Sequence, residues 1–290
     1  MKKKLLQFWE PLFAVILWGN SFIATKLALR ELNPQTIILL RLIFGIALLV
    51  IFAIYTKKDF TLNLKNHGAI FILALIAVFH LWIQVTGLEY TSAASTGWIV
   101  GVTPVFMAIL SIIFFKEKLS KTKIIGIIVA FSGLILLVSR SNMSNIRFIE
   151  QKGDLMVLAS AFTWSVYSLV NKKISLKYPP MMTILFLFIM MAVIISPFTV
   201  TRQSINAVIH LSLIGWVSIL FLGIFCSGIA YVLWAKSLKE LEATKVGSFL
   251  YLEPFVTVLS AWFILSETIT LTIIMSGLII TAGVILVNRK

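Results

Sequence analysis

Ten stretches of this chain, at roughly 8–26, 35–55, 68–87, 92–115, 122–139, 154–171, 181–200, 211–236, 243–265 and 270–287, are apolar over close to the length that crosses hydrocarbon. A helix rises about 1.5 Å per residue, so about 20 apolar residues span a bilayer core of ~30 Å. The runs are continuously apolar rather than alternating, which selects helices over a barrel, and lipid admits only those two solutions. Little else is left in the chain: 60% of its 290 residues are hydrophobic and 12% charged, about half the charge of an ordinary soluble domain. A soluble enzyme and a disordered chain are both excluded. The fold class is an all-α polytopic membrane protein with ten transmembrane helices. Met1-Lys2-Lys3-Lys4 looks like the front of a signal peptide. The apolar run behind it is too long and lacks a small-residue cleavage pattern, so it is expected to stay as the first helix.

The formal net charge is +14, which in a soluble protein would suggest nucleic acid. Counted on alternate sides of the spans, 18 basic residues fall on the side of the N-terminus and 6 on the other, with Arg41 inside a span. Lys and Arg accumulate in cytoplasmic loops. The excess is therefore a topology signal: both termini are expected in the cytoplasm of a plasma (inner) membrane, and no nucleic-acid partner is expected.

The chain also repeats. A shift of 150 residues lays Leu88 on Leu238, Ala93 on Ala243, Gly97 on Gly247, Pro104 on Pro254, Glu117 on Glu267 and Gly133 on Gly283, and a shift of 146 lays Trp18 on Trp164 and Pro34 on Pro180. Five spans per half is an odd number, so the halves enter the membrane in opposite directions. The expected domains are a first repeat over 1–140, a linker over 141–152 and a second repeat over 153–290. Such inverted repeats place a solute site near the midplane where they meet.

No catalytic constellation is visible. His67, His80 and His210 show no metal-ligand spacing, and Cys226 is a lone cysteine in an apolar run, so neither a metal nor a cofactor is expected. Polar groups at membrane depth each need a reason. Glu253 stands before Pro254 in the ninth stretch. The proline removes a backbone donor and disturbs the preceding turn. Two readings follow: a protonated Glu253 donating to a freed carbonyl, or a titratable proton-relay site. Arg41 either snorkels outward or faces the interior as a charge partner. Neither charge is repeated, since Thr103 stands opposite Glu253 and Leu187 opposite Arg41.

The candidate cavity residues are Trp18, Asn20, His80, Gln84, Trp98, Trp164, Tyr231, Tyr251 and Glu253, midspan groups that together would suit a small, partly apolar organic solute. Gly19, Pro104 and Pro254 are the candidate helix breaks. Glu117 and Glu267 are read as structural, Ser120 and Thr270 as caps of the helices that follow. Gly126, Gly133, Ser276, Gly277 and Gly283 would permit close helix contact, within or between subunits.

Trp18-Gly19-Asn20-Ser21-Phe22-Ile23-Ala24-Thr25-Lys26, Asn33-Pro34 and Arg41-Leu42-Ile43-Phe44 resemble the opening of the EamA family of the drug/metabolite transporter superfamily. Pro104 through Glu117-x-Leu119, and Glu253-Pro254 through Glu267-x-Ile269, resemble the closing part of each EamA repeat. The resemblance implies inverted five-helix repeats around a central cavity walled by spans 1, 3, 4, 6, 8 and 9. It implies a permease for small metabolites such as amino acids, working outward by alternating access, with proton coupling or facilitated exchange. The second repeat lacks the glycine and asparagine of the first opening motif. A multidrug or organic-cation exporter and a non-transporting membrane enzyme or lipid-handling protein are the alternatives. The expected partners are a small-molecule substrate and the bilayer; monomer and homodimer stay open.

Overall fold

The computed structural model describes residues 9–57, 67–115, 120–138, 152–175, 179–241 and 246–288. Glu117, residues 141–151 of the expected linker and most of the lysines counted for orientation lie outside these. In chain order the helices are α1 (Trp9–Ala28), α2 (Pro34–Tyr55), α3 (His67–Tyr90), α4 (Ala93–Val100), α5 (Thr103–Phe115), α6 (Lys121–Val138), α7 (Lys152–Ser175), α8 (Pro180–Ile195), α9 (Arg202–Ile209), α10 (Leu213–Leu220), α11 (Ala230–Glu240), α12 (Glu253–Leu265) and α13 (Leu271–Asn288). A π-helical segment, Phe221–Ile229, joins α10 to α11, and a 3₁₀ turn, Ser248–Leu252, precedes α12. No strand occurs among the described residues.

Among the described residues seven helical stretches are long and apolar enough to cross a membrane, the last running from Leu213 to Glu240 through the π segment. The other three expected stretches fold as α6 and α13, of 18 residues each, and α12, of 13. Large apolar side chains such as Ile51, Val193, Leu259 and Phe263 stand exposed on the outside of the bundle, the outward face a lipid-solvated protein presents.

Caps explain where the helices start. Asn33 accepts from the Thr36 amide at 2.8 Å with Pro34 opening α2, and Ser92 accepts from Ser95 at 2.9 Å at the head of α4. Ser120 and Thr270 accept from Lys123 and Ile273, as their sequence position suggested.

Small residues set the tightest helix pairs. A Cβ on Gly133 would come within 2.8 Å of the Ile280 amide, and one on Gly283 within 2.3 Å of the Ala130 amide, so α6 and α13 touch backbone to backbone. These glycines are therefore used within the chain. Gly87 and Gly153 bring α3 against α7 in the same way, and Gly45 and Gly223 seat the π segment on α2.

Polar contacts mark the two ends of the bundle. At one, here the Glu31 end, the Glu31 carboxylate accepts from the Ser212 amide at 2.8 Å and its hydroxyl at 2.6 Å. The Glu267 carboxylate accepts from the Ala93 and Ala94 amides at 2.9 and 3.0 Å, and Thr91 donates to Asp154. At the other, the Glu10 end, Lys236 Nζ lies 2.5 Å from Glu10, and Lys172 donates to the Leu241 carbonyl at 3.3 Å. The Ser212 hydroxyl and then its amide hold the exposed Glu31 carboxyl below the usual carboxylate range.

Candidate solute cavity

Midway between these ends α1, α2, α3, α4, α7, α11 and α12 converge on a small cavity. Trp18, Ser21, Phe22, Arg41, His80, Leu81, Gln84, Val100, Trp164, Tyr231 and Glu253 line it. Its volume is about 30 Å³. Since a water needs about 10–15 Å³ by this measure, there is room for a few waters and none for an amino acid. The cavity in this structure is thus smaller than an amino acid.

The walls are closed by aromatic rings. Trp18 and Trp164 meet edge to face at 5.0 Å, Trp18 meets Tyr231 at 5.6 Å and Trp234 at 5.2 Å, and Trp164 meets Tyr231 at 5.7 Å and stacks on Tyr167 at 4.8 Å. Phe188 closes on Tyr231 at 5.2 Å. The cluster joins α1, α7, α8 and α11, and it lies on the Glu10 side of the cavity, where α11 runs toward Lys236.

Polar side chains in the lining are held by partners from distant helices. The Arg41 side chain is buried, and its Nε donates to Ser227 Oγ at 2.9 Å. Ser227 sits in the π segment, whose wider turn sets it beside α2. Arg41 therefore faces the interior and does not snorkel. Trp18 Nε1 donates to the Cys226 carbonyl at 3.0 Å, another π-segment group, consistent with the habit of π segments to occur at functional positions. The Cys226 thiol is buried and donates to the Leu17 carbonyl. His80 Nδ1 lies 3.0 Å from the Ser160 carbonyl. A carbonyl only accepts, so Nδ1 carries hydrogen, and a neutral ring then keeps Nε2 as an acceptor.

Glu253 is buried and lines the same cavity as Arg41, yet no ion pair within 4.0 Å joins the two. The carbonyl that Pro254 strips of its helical donor is that of Leu250. It receives the Glu253 backbone N–H through the 3₁₀ turn, so the carboxyl is not needed there. Pro104 works similarly: Thr103 Oγ1 donates to the Val100 carbonyl at 2.5 Å, and Ser165 donates to the Thr103 carbonyl at 3.1 Å. The chain breaks at Gly101–Val102 between α4 and α5. Gly19 differs from the expectation, since α1 runs unbroken through it. What Gly19 and Gly97 provide is close approach: their Cβ atoms would lie 2.8 Å from Val256 and 2.7 Å from Thr257, which seats α12 and its glutamate against α1 and α4.

Six of the nine candidate cavity residues, Trp18, His80, Gln84, Trp164, Tyr231 and Glu253, are brought together, and Arg41 joins them. Three lie elsewhere. Asn20 donates to the Ile16 carbonyl and accepts from Ser260. Trp98 packs on Phe255 and over Gly277. The Tyr251 hydroxyl donates to the Val284 carbonyl at 3.1 Å. Ser21, which interrupts the first span beside Trp18 in the sequence, also lines the cavity, whereas sequence reasoning overlooked Phe22, Leu81, Val100 and the anchor Ser227. Phe22 was findable, being four residues past Trp18 and so on its face.

An apolar helical bundle enclosing a small, ring-walled cavity with two buried ionisable side chains is the build of a membrane transporter. The chain belongs to the EamA-like transporter family, whose model matches residues 10–139 and again 151–289. An uncharacterized transporter of Archaeoglobus fulgidus is 27% identical over 280 residues, covering 95% of each chain. A Bacillus subtilis protein named uncharacterized transporter YyaM is 25% identical, covering 94% of this chain and 92% of its own. A Salmonella typhimurium protein named a probable amino-acid metabolite efflux pump is 25% identical, covering 94% and 91%. A crystal structure shares the fold, with a TM-score of 0.72 at 17% identity over 97% of this chain and 95% of that one.

Proposed function

We propose that this protein is a secondary transporter that exports amino acids or closely related zwitterions across the plasma membrane by alternating access. One observation carries the proposal: Arg41 and Glu253, a guanidinium and a carboxyl group without an ion pair between them, face one aromatic-walled cavity. A solute bearing a carboxylate and an ammonium answers both charges, while the rings take its side chain. Buried charges are tolerable only when such compensation is at hand. The architecture behind this reading is ten spans in two inverted five-helix repeats, with both termini cytoplasmic. The double family match and the basic-residue count support it, and the name of the Salmonella relative supports the solute class. Glu253 is the group assigned to proton coupling.

The test loads proteoliposomes with a mixed pool of amino acids and common metabolites and follows efflux by mass spectrometry, with and without a pH gradient. Wild type, Arg41→Met and Glu253→Gln are compared. Selective efflux of amino acids, weakened by both substitutions and uncoupled from the gradient by Glu253→Gln, is the expected result. Efflux of carboxylate-free amines with indifference to Arg41→Met would overturn it in favour of an organic-cation exporter, which the rings and Glu253 alone would suit.

A further inference from the structure

A second charged space lies at the Glu31 end, one helical turn beyond the cavity. Lys26 follows cavity-lining Phe22 by four residues on the same face of α1, and Glu89 follows Gln84 by five on α3. Lys26, Leu29, Arg30, Glu89, Leu265 and Glu267 line a space of about 330 Å³, within the range of small-ligand sites, about 300–1,000 Å³. Glu267 and Glu89 are the acids that share this space with half-buried Lys26. Glu267 is already committed, its two oxygens capping α4 through Ala93 and Ala94. Among the described residues Lys26, Arg30 and Glu89 form no ion pair within 4.0 Å. Leu265 and Glu267 also wall an adjoining hydroxyl-rich lobe of about 590 Å³ that includes Ser92, Ser95, Ser266, Thr268 and Thr270.

We infer that this vestibule is a second solute site, distinct from the central cavity, that binds polar zwitterions of the amino-acid class. Lys26 and Arg30 take the carboxylate, Glu89 takes the ammonium, and the hydroxyl lobe accepts a polar side chain. The arrangement sets basic and acidic side chains around one space, as Arg41 and Glu253 do around the cavity. Opposite charges that stop short of pairing leave room for a ligand carrying both. The choice of zwitterion rests on the export reading above, whereas the site itself does not require transport.

The test uses the full chain in detergent, so that both ends are accessible, with Leu29→Cys as reporter. The native thiol is buried at Cys226 and gives a low background. The rate of modification by a hydrophilic maleimide is measured with serine, threonine or glutamine, and with ethanolamine or lactate at equal ionic strength. A zwitterion at twice its dissociation constant slows labelling about threefold by mass action, while the singly charged controls do not. Lys26→Met and Glu89→Gln each abolish this protection, and Lys26→Arg retains it. Leu265→Cys on the opposite wall serves as a second reporter. Equal slowing by the controls, protection surviving both substitutions, or no protection at either reporter would overturn the site. Efflux of the same amino acids without protection would leave the export reading standing and remove the vestibule. Protection without efflux would do the reverse.

Discussion

Trp18 and Trp164, two residues that a shift of 146 places on one another in the sequence, meet in space with ring centroids 5.0 Å apart and planes 85° to each other. Trp164 also touches His80, Tyr167, Tyr231 and Trp234, so it is the central ring of the cluster that walls the cavity. Trp164→Ala should lower the thermal stability of the purified protein by about 3 kcal/mol, the low end for removing a buried indole. The same variant should admit hydrophobic dyes to the cavity. Trp164→Phe should keep most of the stability and exclude them. A melting curve unchanged by the alanine would show that the cluster is not packed as described.

Ser227→Ala removes the acceptor of the Arg41 Nε proton. A hydrogen bond to a charged group contributes about 1.5–3 kcal/mol, so solute affinity should fall about tenfold or more while the fold persists. Ser227→Thr restores the hydroxyl and should recover most of the loss. Equal affinity in all three proteins would free Arg41 from this anchor.

Gly97 is tested by contrast with Gly68. A Cβ at 97 would sit 2.7 Å from that of Thr257, whereas one at 68 meets nothing within 4 Å. Gly97→Ala should destabilise by about 1–3 kcal/mol through overpacking. Gly68→Ala should stabilise by about 0.5–1 kcal/mol through helix propensity alone. Thermal melts of the two variants, read side by side, check the sign of each.

The Glu31 carboxyl is held low by Ser212. A carboxyl depressed in the folded state contributes stability that is present above its unfolded value, about 4.3, and is lost as pH falls through the lower folded value. The melting-temperature difference between wild type and Glu31→Ala should therefore be constant from pH 8 to about 5 and shrink only in stronger acid. A difference that grows on acidification would contradict the hydrogen-bonded geometry.

The helices were legible because a continuous apolar run of about twenty residues has one use in lipid, and the meeting of Trp18 with Trp164 was foreshadowed by their register. The direction of individual side chains was less so. Asn20, Trp98 and Tyr251 each stand two residues from a cavity-lining residue, Trp18, Val100 and Glu253. Two residues is a rotation of about 200° in an α-helix and about 240° in the 3₁₀ turn that holds Tyr251, which turns them to another face. Composition does not say which face is inward when every face is apolar. Arg41 was ambiguous because its anchor, Ser227, lies 186 residues away in a stretch whose sequence, Phe221 to Ile229, looks like any other apolar helix. Glu267 could be read as structural, yet the helix it caps begins 174 residues earlier.

The contacts along α1 are not uniform. Toward α10 and α11 it is fastened at three heights, by Glu31 to Ser212, by Trp18 and Leu17 to Cys226, and by Glu10 to Lys236. Helix α3 is fastened to α7 by Thr91 to Asp154 and His80 to Ser160. Among the described residues, ring faces and edges lie between these two fastened pairs, together with the Lys172 bond to the Leu241 carbonyl near the Glu10 end. Directional bonds resist shear, most of all those in the low-dielectric interior such as Trp18 to Cys226, whereas each ring contact adds only about 0.5–1.5 kcal/mol. The molecule is thus riveted along two seams and greased along a third, so that a shear along the greased seam would cost the fewest directional bonds.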